Sequence, residues 1–253
     1  MDGAAGLFAD EGAPPMMITN MECKVCGGKE FIFKLKGRDR LHHLQGEFDI
    51  YRCKRCGLLF VYPFLDEAAL KKYYPKDYYS YSDAQKNENG VAVTGKLAYY
   101  LKHPLKAANA LLYSKILRQN KDVALSSGQA VLDVGCGDGK YLLEKMKSGC
   151  RCYGVDISRE ALRRLKEKAS DIETYCGDLW DAKFPSEAFD LVNLSHVLEH
   201  VQDIDRLLLE VRRILKKDGL LKVQVPNAAS LTSELYGRYW IGWDTPRHLY
   251  VFS

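Results

Sequence analysis

Residues 130–140 read Ala130-Val131-Leu132-Asp133-Val134-Gly135-Cys136-Gly137-Asp138-Gly139-Lys140, and a later stretch reads Arg151-Cys152-Tyr153-Gly154-Val155-Asp156. The first is an apolar strand running into a loop with glycine at alternate positions. A short helix follows, then a second strand that ends in an acid. Gly135, Gly137 and Gly139 carry no side chain, so the loop admits positive φ and brings backbone close to a small ligand. Asp156 stands 21 residues beyond Gly135, where nucleotide-binding α/β folds place a carboxylate on ribose hydroxyls. Together the two features imply an adenosine-containing ligand.

Two details of the loop discriminate among such ligands. A dinucleotide site wants Gly-x-Gly-x-x-Gly, the third glycine allowing close packing of helix on strand. Here position 140, where that glycine would fall, is Lys140. Asp133 and Asp138 flank the loop, and carboxylates oppose a pyrophosphate but favour an ammonium or a sulfonium. S-adenosylmethionine carries both cations. The pattern resembles motif I of the class I S-adenosylmethionine-dependent methyltransferases.

Later segments extend the resemblance over roughly residues 96–253. Tyr175-Cys-Gly-Asp178-Leu179 follows the third candidate strand; Phe189-Asp-Leu-Val-Asn-Leu-Ser195-His196-Val-Leu-Glu199-His200 resembles the fourth strand and its helix start. Leu215-Lys-Lys-Asp-Gly219-Leu-Leu221 resembles the turn into strand five, and Trp243-Asp-Thr-Pro-Arg-His248 onward a late segment of a small-molecule-modifying subgroup. The resemblance implies that Asp133 organises the methionine end and that Gly135, Cys136, Gly137 and Gly139 form the floor. It also implies that Asp156 holds the ribose with Ile157 against the adenine, that Asp178 and Leu179 recognise the base, and that Ser195 lines the cleft. For Asp178 a plain turn residue before a helix is the alternative.

The expected fold class is α/β, a doubly wound, Rossmann-like, mostly parallel sheet preceded by a small zinc-ribbon module. Candidate strands are 130–134, 152–155, 173–176, 191–194 and 220–225. The apolar stripe of Ile204, Leu207, Leu208, Val211, Ile214 and Leu215 predicts a helix over 203–217, stopped by Gly219. The resemblance also implies a further helix and two strands after strand five. Phe252-Ser253 stops where they would begin, so strand five is expected to be an uncovered edge, through which two copies could pair.

Cysteines form two groups. Cys23-x-x-Cys26 and Cys53-x-x-Cys56 each run into a glycine, Gly27 and Gly57, which is the sequence of paired zinc knuckles supplying four thiolates. Such a site is closed and structural, and in a module of about 40 residues the metal supplies folding free energy. A disulfide framework is the alternative, opposed by the otherwise cytosolic character of the chain. Cys136, Cys150, Cys152 and Cys176 are expected to be small buried hydrophobes.

The expected units are a disordered leader at 1–20, the ribbon at 21–62, a helical, cofactor-covering linker at 63–125 and the methyltransferase domain at 126–253. Within the linker, Tyr73, Tyr74, Tyr78, Tyr79 and Tyr81 are expected to pack between modules, and Leu97, Leu101, Leu105, Ala108, Leu112 and Ile116 recur at helical spacing. Asp66 is expected to cap a helix through Tyr74.

The composition, 47% hydrophobic and 28% charged with net charge +4, is that of an ordinary folded domain. No uncharged run approaches the ~18 residues of a membrane span, so a cytoplasmic protein away from membranes is expected. The basic excess over 21–60 is too sparse for a nucleic-acid surface.

His196-x-x-Glu199-His200 spells an inverted zinc-protease pattern, but it follows a buried strand in methyltransferase order. In that context His196 is placed at the strand tip and His200 at a helix start. His196 and His248 are the candidate general bases for a small-molecule acceptor (sugar, quinone or polyketide-like), O-methylation being favoured over C-methylation. Two competing classes remain: a zinc-ribbon adaptor for RNA or protein with a degenerate domain, and an NAD-dependent oxidoreductase, which Lys140 disfavours.

Overall fold

The computed structural model describes residues 21–74 and 123–253. The 1–20 leader, Tyr78, Tyr79, Tyr81 and the 96–120 helical pattern lie outside the described residues. Three antiparallel strands come first among the described residues: β1 (Phe31–Gly37), β2 (Phe48–Cys53) and β3 (Leu59–Tyr62). Asp66 then caps α1 (Glu67–Lys71), accepting from the Ala69 N–H at 2.7 Å. That helix is shorter than the sequence suggests.

From residue 130 strands and helices alternate. β4 (Ala130–Val134), α2 (Lys140–Lys147), β5 (Arg151–Asp156), α3 (Arg159–Lys168), β6 (Glu173–Cys176), β7 (Phe189–Ser195), α4 (Ile204–Ile214) and β8 (Leu215–Gln224) follow in turn. The five strands form one parallel sheet in the order β6-β5-β4-β7-β8. The order reverses beside β4, so the crevice at its carboxyl end is the topological switch point where such sheets bind ligands.

Strand β4 is apolar throughout apart from Asp133 because both of its faces are covered. Val131 packs with Leu142, Leu162 and Leu165 of α2 and α3. Leu132 and Val134 face the other way, into a core with Leu207, Val211 and Ile214 of α4. That second core continues into Tyr51 and Phe60 of the ribbon, so ribbon and parallel sheet share one apolar interior.

Three expectations are corrected. Cys176, expected to be buried, is exposed at the end of β6. Helix α4 ends at Ile214 and β8 begins at Leu215, with Gly219 inside the strand rather than stopping the helix. The His196–His200 segment is not helical; residues 198–200 form a turn ahead of α4, which Asp203 caps.

After β8 the chain makes α5 (Leu231–Tyr236) and then β9 (Tyr250–Val251), which pairs antiparallel with β3 as the fourth strand of the ribbon sheet. The 126–253 unit therefore lends its last strand to the ribbon. β8 is the outer strand of the parallel sheet, with Leu220, Leu221 and Val223 exposed.

Candidate active site

Side-chain-free backbone shapes the crevice at the end of β4. Gly135, Gly137 and Gly139 all have positive φ (68°, 53° and 79°). A Cβ on Gly135 would lie 2.6 Å from Val197, and one on Gly139 would lie 2.1 Å from Leu165. These two glycines let the β7 tip and α3 close on the loop, whereas Gly137 faces open space. The N–H groups of Gly135 and Cys136 both donate to the Val155 carbonyl, at 2.7 and 3.1 Å, tying the loop to β5.

Asp156 ends β5 with its carboxylate aimed at the loop. It accepts from the Gly137 N–H at 2.8 Å and from the Ser158 N–H at 2.7 Å. Burial raises its pKa, and those two N–H groups work in the opposite direction. Asp133 is only 4% exposed. Burial pushes its carboxyl up to about 7; the Asn193 amide, donating at 2.7 Å, lowers it, and the Asp156 charge raises it. The Oδ1 of Asn193 is buried with no hydrogen-bond partner. The buried Asp133 carboxyl, only partly offset by the Asn193 amide and the Lys222 charge, and the bare Asn193 Oδ1 make an acceptor-rich pair suited to a donor-bearing cation.

The other expected contacts are disposed unevenly. Ile157 is exposed, on the surface beside Asp156, and Asp178 is exposed with its pKa raised by burial and by the Asp181 and Glu67 charges. Leu179 sends its side chain into the core. Cys136 turns its thiol toward Gly154, where an added Cβ would sit 2.7 Å from Sγ, and burial pushes that thiol's pKa up. Ser195 ends β7, half-buried.

The histidines fall in different places, His196 at the strand tip where the sequence put it, His200 in a turn and His248 inside the fold. His196 adopts a positive φ of 56° at the tip of β7, is half exposed, and bonds through Nδ1 to Glu199 Oε1 at 3.1 Å. His248 is buried, its Nδ1 on the Gly242 carbonyl at 2.8 Å and its ring edge-on to His200, centroids 4.7 Å apart. His200 is also enclosed, with Nδ1 on the Arg247 carbonyl at 3.0 Å; burial, then the His248 charge, lower its pKa to about 4. Glu199 has no exposed side-chain surface, although its pKa is lowered, because the His196 bond and nearby imidazole charges outweigh its burial. Its burial had no sequence signal beyond the His-x-x-Glu-His spacing.

Arg247 was missed altogether. Wholly buried, it donates to Asp39 at 2.8 Å, to Asp244 and to the Tyr73 carbonyl at 2.9 Å. Burial alone would raise the Asp39 carboxyl, but the Arg247 guanidinium and the His42 and Leu41 N–H groups hold it at about 2. This ion group joins the β1–β2 connection to the segment leading into β9.

In the ribbon, Cys23 and Cys56 have sulfurs 3.6 Å apart, as do Cys26 and Cys53, and all four sulfurs lie within 4.8 Å of one another. These distances are too long for disulfides. They are close to the roughly 3.8 Å edge of a tetrahedron with metal–sulfur bonds of about 2.3 Å. Gly27 and Gly57, at φ of 68° and 81°, donate back to the Cys23 and Cys53 carbonyls and complete each knuckle.

A parallel sheet with its glycine loop at the switch point defines a Rossmann-like nucleotide-binding fold. Residues 132–223 match a family model described as methyltransferase domain. An uncharacterised protein of Methanocaldococcus jannaschii is 35% identical over 135 residues, covering 53% of this chain and 57% of its own length. The ubiquinone biosynthesis O-methyltransferase of Rhodopseudomonas palustris is 31% identical over 145 residues, covering 53% and 55%. Among solved structures, an S-adenosylmethionine-dependent methyltransferase from Mesorhizobium loti aligns at a TM-score of 0.38 and 26% identity, over 41% of this chain and 50% of that one. The chain spans about half the length of these curated relatives.

Proposed function

We propose that this protein transfers a methyl group from S-adenosylmethionine to a small-molecule acceptor, oxygen being the favoured acceptor atom. The observation that carries the reading is the buried Asp133 carboxyl beside the orphaned Asn193 Oδ1, at the foot of a side-chain-free loop that Asp156 faces. An ammonium donor there would satisfy Asn193 and keep Asp133 ionised. Each Asp156 oxygen has a lone pair beyond its N–H bond, available to a ribose hydroxyl. The backbone of Leu179, with Asp178, is assigned to the adenine.

When bound, the sulfonium supplies an already activated methyl donor. The chain's own residues then align the acceptor and exclude water. His196, half exposed at the tip of β7 and steadied by Glu199, is assigned to take the acceptor's proton. The match to a quinone O-methyltransferase supports an oxygen acceptor. The four ribbon cysteines are assigned one structural Zn2+, whose closed thiolate set leaves no position for catalysis.

Titration with S-adenosylhomocysteine tests this reading. Asp156→Ala is expected to weaken binding about tenfold or more, while His196→Ala keeps that affinity and lowers turnover on an acceptor. Equal affinity in Asp156→Ala and the unaltered protein would count against the site.

A further inference from the structure

Glu199, His200 and His248 come from two separate stretches of chain, yet each offers a ligand atom within 4.8 Å of the other two. Their hydrogen bonds leave the metal-binding valences free. Glu199 uses Oε1 for His196, while Oε2 is buried with no partner. A carbonyl can only accept, so the bonds to Arg247 and Gly242 put the protons of His200 and His248 on Nδ1 and the lone pairs on Nε2, the Tyr74 hydroxyl 3.0 Å from the His200 Nδ1 then accepting from the same N–H. No hydrogen bond to the His200 Nε2 occurs among the described residues, and the His248 Nε2 stands 3.9 Å from Asp244, beyond hydrogen-bond reach.

We propose that these three residues form a second metal site, distinct from the ribbon, for a borderline divalent transition ion such as zinc or ferrous iron. Two imidazoles with one carboxylate suit that class of ion and not the hard alkaline-earth cations. Metal-binding histidines commonly donate their other N–H to a carbonyl or carboxylate, and both histidines here do so. Ligand atoms about 2.1 Å from a common ion stand roughly 3–3.5 Å apart, so metal binding would draw the three in from separations of up to 4.8 Å. The His-x-x-Glu-His spacing is thus used differently from a helical protease motif. His196 supports the carboxylate from outside, and His248 takes the ligand position.

Three protein ligands leave coordination open. An acceptor oxygen bound at the open position would be polarised by the ion. That use rests on the methyl-transfer reading, whereas metal binding itself does not.

The test is Co2+ titration of the metal-stripped full chain, followed by absorption and read for the second site only after the thiolate signal shows the ribbon refilled. Thiolate charge transfer reports the ribbon, and weak visible bands without it report an oxygen–nitrogen site. The expected result is a thiolate-free equivalent that Glu199→Gln and His248→Gln each remove, with the thiolate signal retained. Absence of any thiolate-free equivalent in the unaltered protein overturns the proposal whether or not the variants fold. Its persistence in both folded variants does so too.

Discussion

Asp133→Asn separates stability from ligand binding at the centre of the crevice. The Asp133 carboxyl is 4% exposed, and its pKa stands at about 7 against an ordinary 3.8. At about 1.4 kcal/mol per tenfold change in proton affinity, ionising it in the folded chain costs roughly 4 kcal/mol at the alkaline limit. A raised folded-state value means that the acid's contribution is most favourable below about pH 4 and is lost as pH rises through 7. Asparagine has no such titration and can still accept from Asn193. Relative to the unaltered protein, Asp133→Asn should therefore gain about 2–3 kcal/mol between pH 5 and pH 8. Urea unfolding at the two pH values measures this, with the difference between proteins cancelling other titrations. A difference that stays constant over that range would refute the reasoning. The same variant should lose S-adenosylhomocysteine binding, since the carboxylate meant for the ammonium is gone.

Other outcomes follow from the ribbon and its junction. Arg247→Met leaves Asp39 and Asp244 buried without their cation and should cost about 3–5 kcal/mol in urea unfolding. Asp39 has a depressed pKa, so its stabilisation is present above about pH 4 and is lost as pH falls through about 2; in Arg247→Met that acid dependence should shrink. Elemental analysis should find zinc in the ribbon under reducing conditions, and stripping it should open β3 and release β9. Limited proteolysis would then cut near Leu249–Val251, sites protected in the metal-loaded protein.

The parallel sheet was legible because its signals are local: a continuous apolar run at β4, glycines at alternate positions and an acid closing β5. Four cysteines in two Cys-x-x-Cys-Gly turns were legible for the same reason. What sequence could not convey was long-range pairing. Tyr250–Val251 has only two residues of strand, and its place beside β3 depends on the Arg247 ion group and a shared core. The end of α4 was also misjudged, because Leu215 continues the apolar stripe while its backbone has already joined β8 opposite Phe189. His248 read as a cleft base because nothing local marks the Gly242 carbonyl that holds its ring inside.

The most direct test of the central claim is calorimetric titration of the unaltered chain with S-adenosylhomocysteine and, separately, with NAD. The account predicts saturable binding of the sulfur nucleoside at one site per chain and no heat from the dinucleotide. Saturable binding of NAD with none of the nucleoside would contradict it.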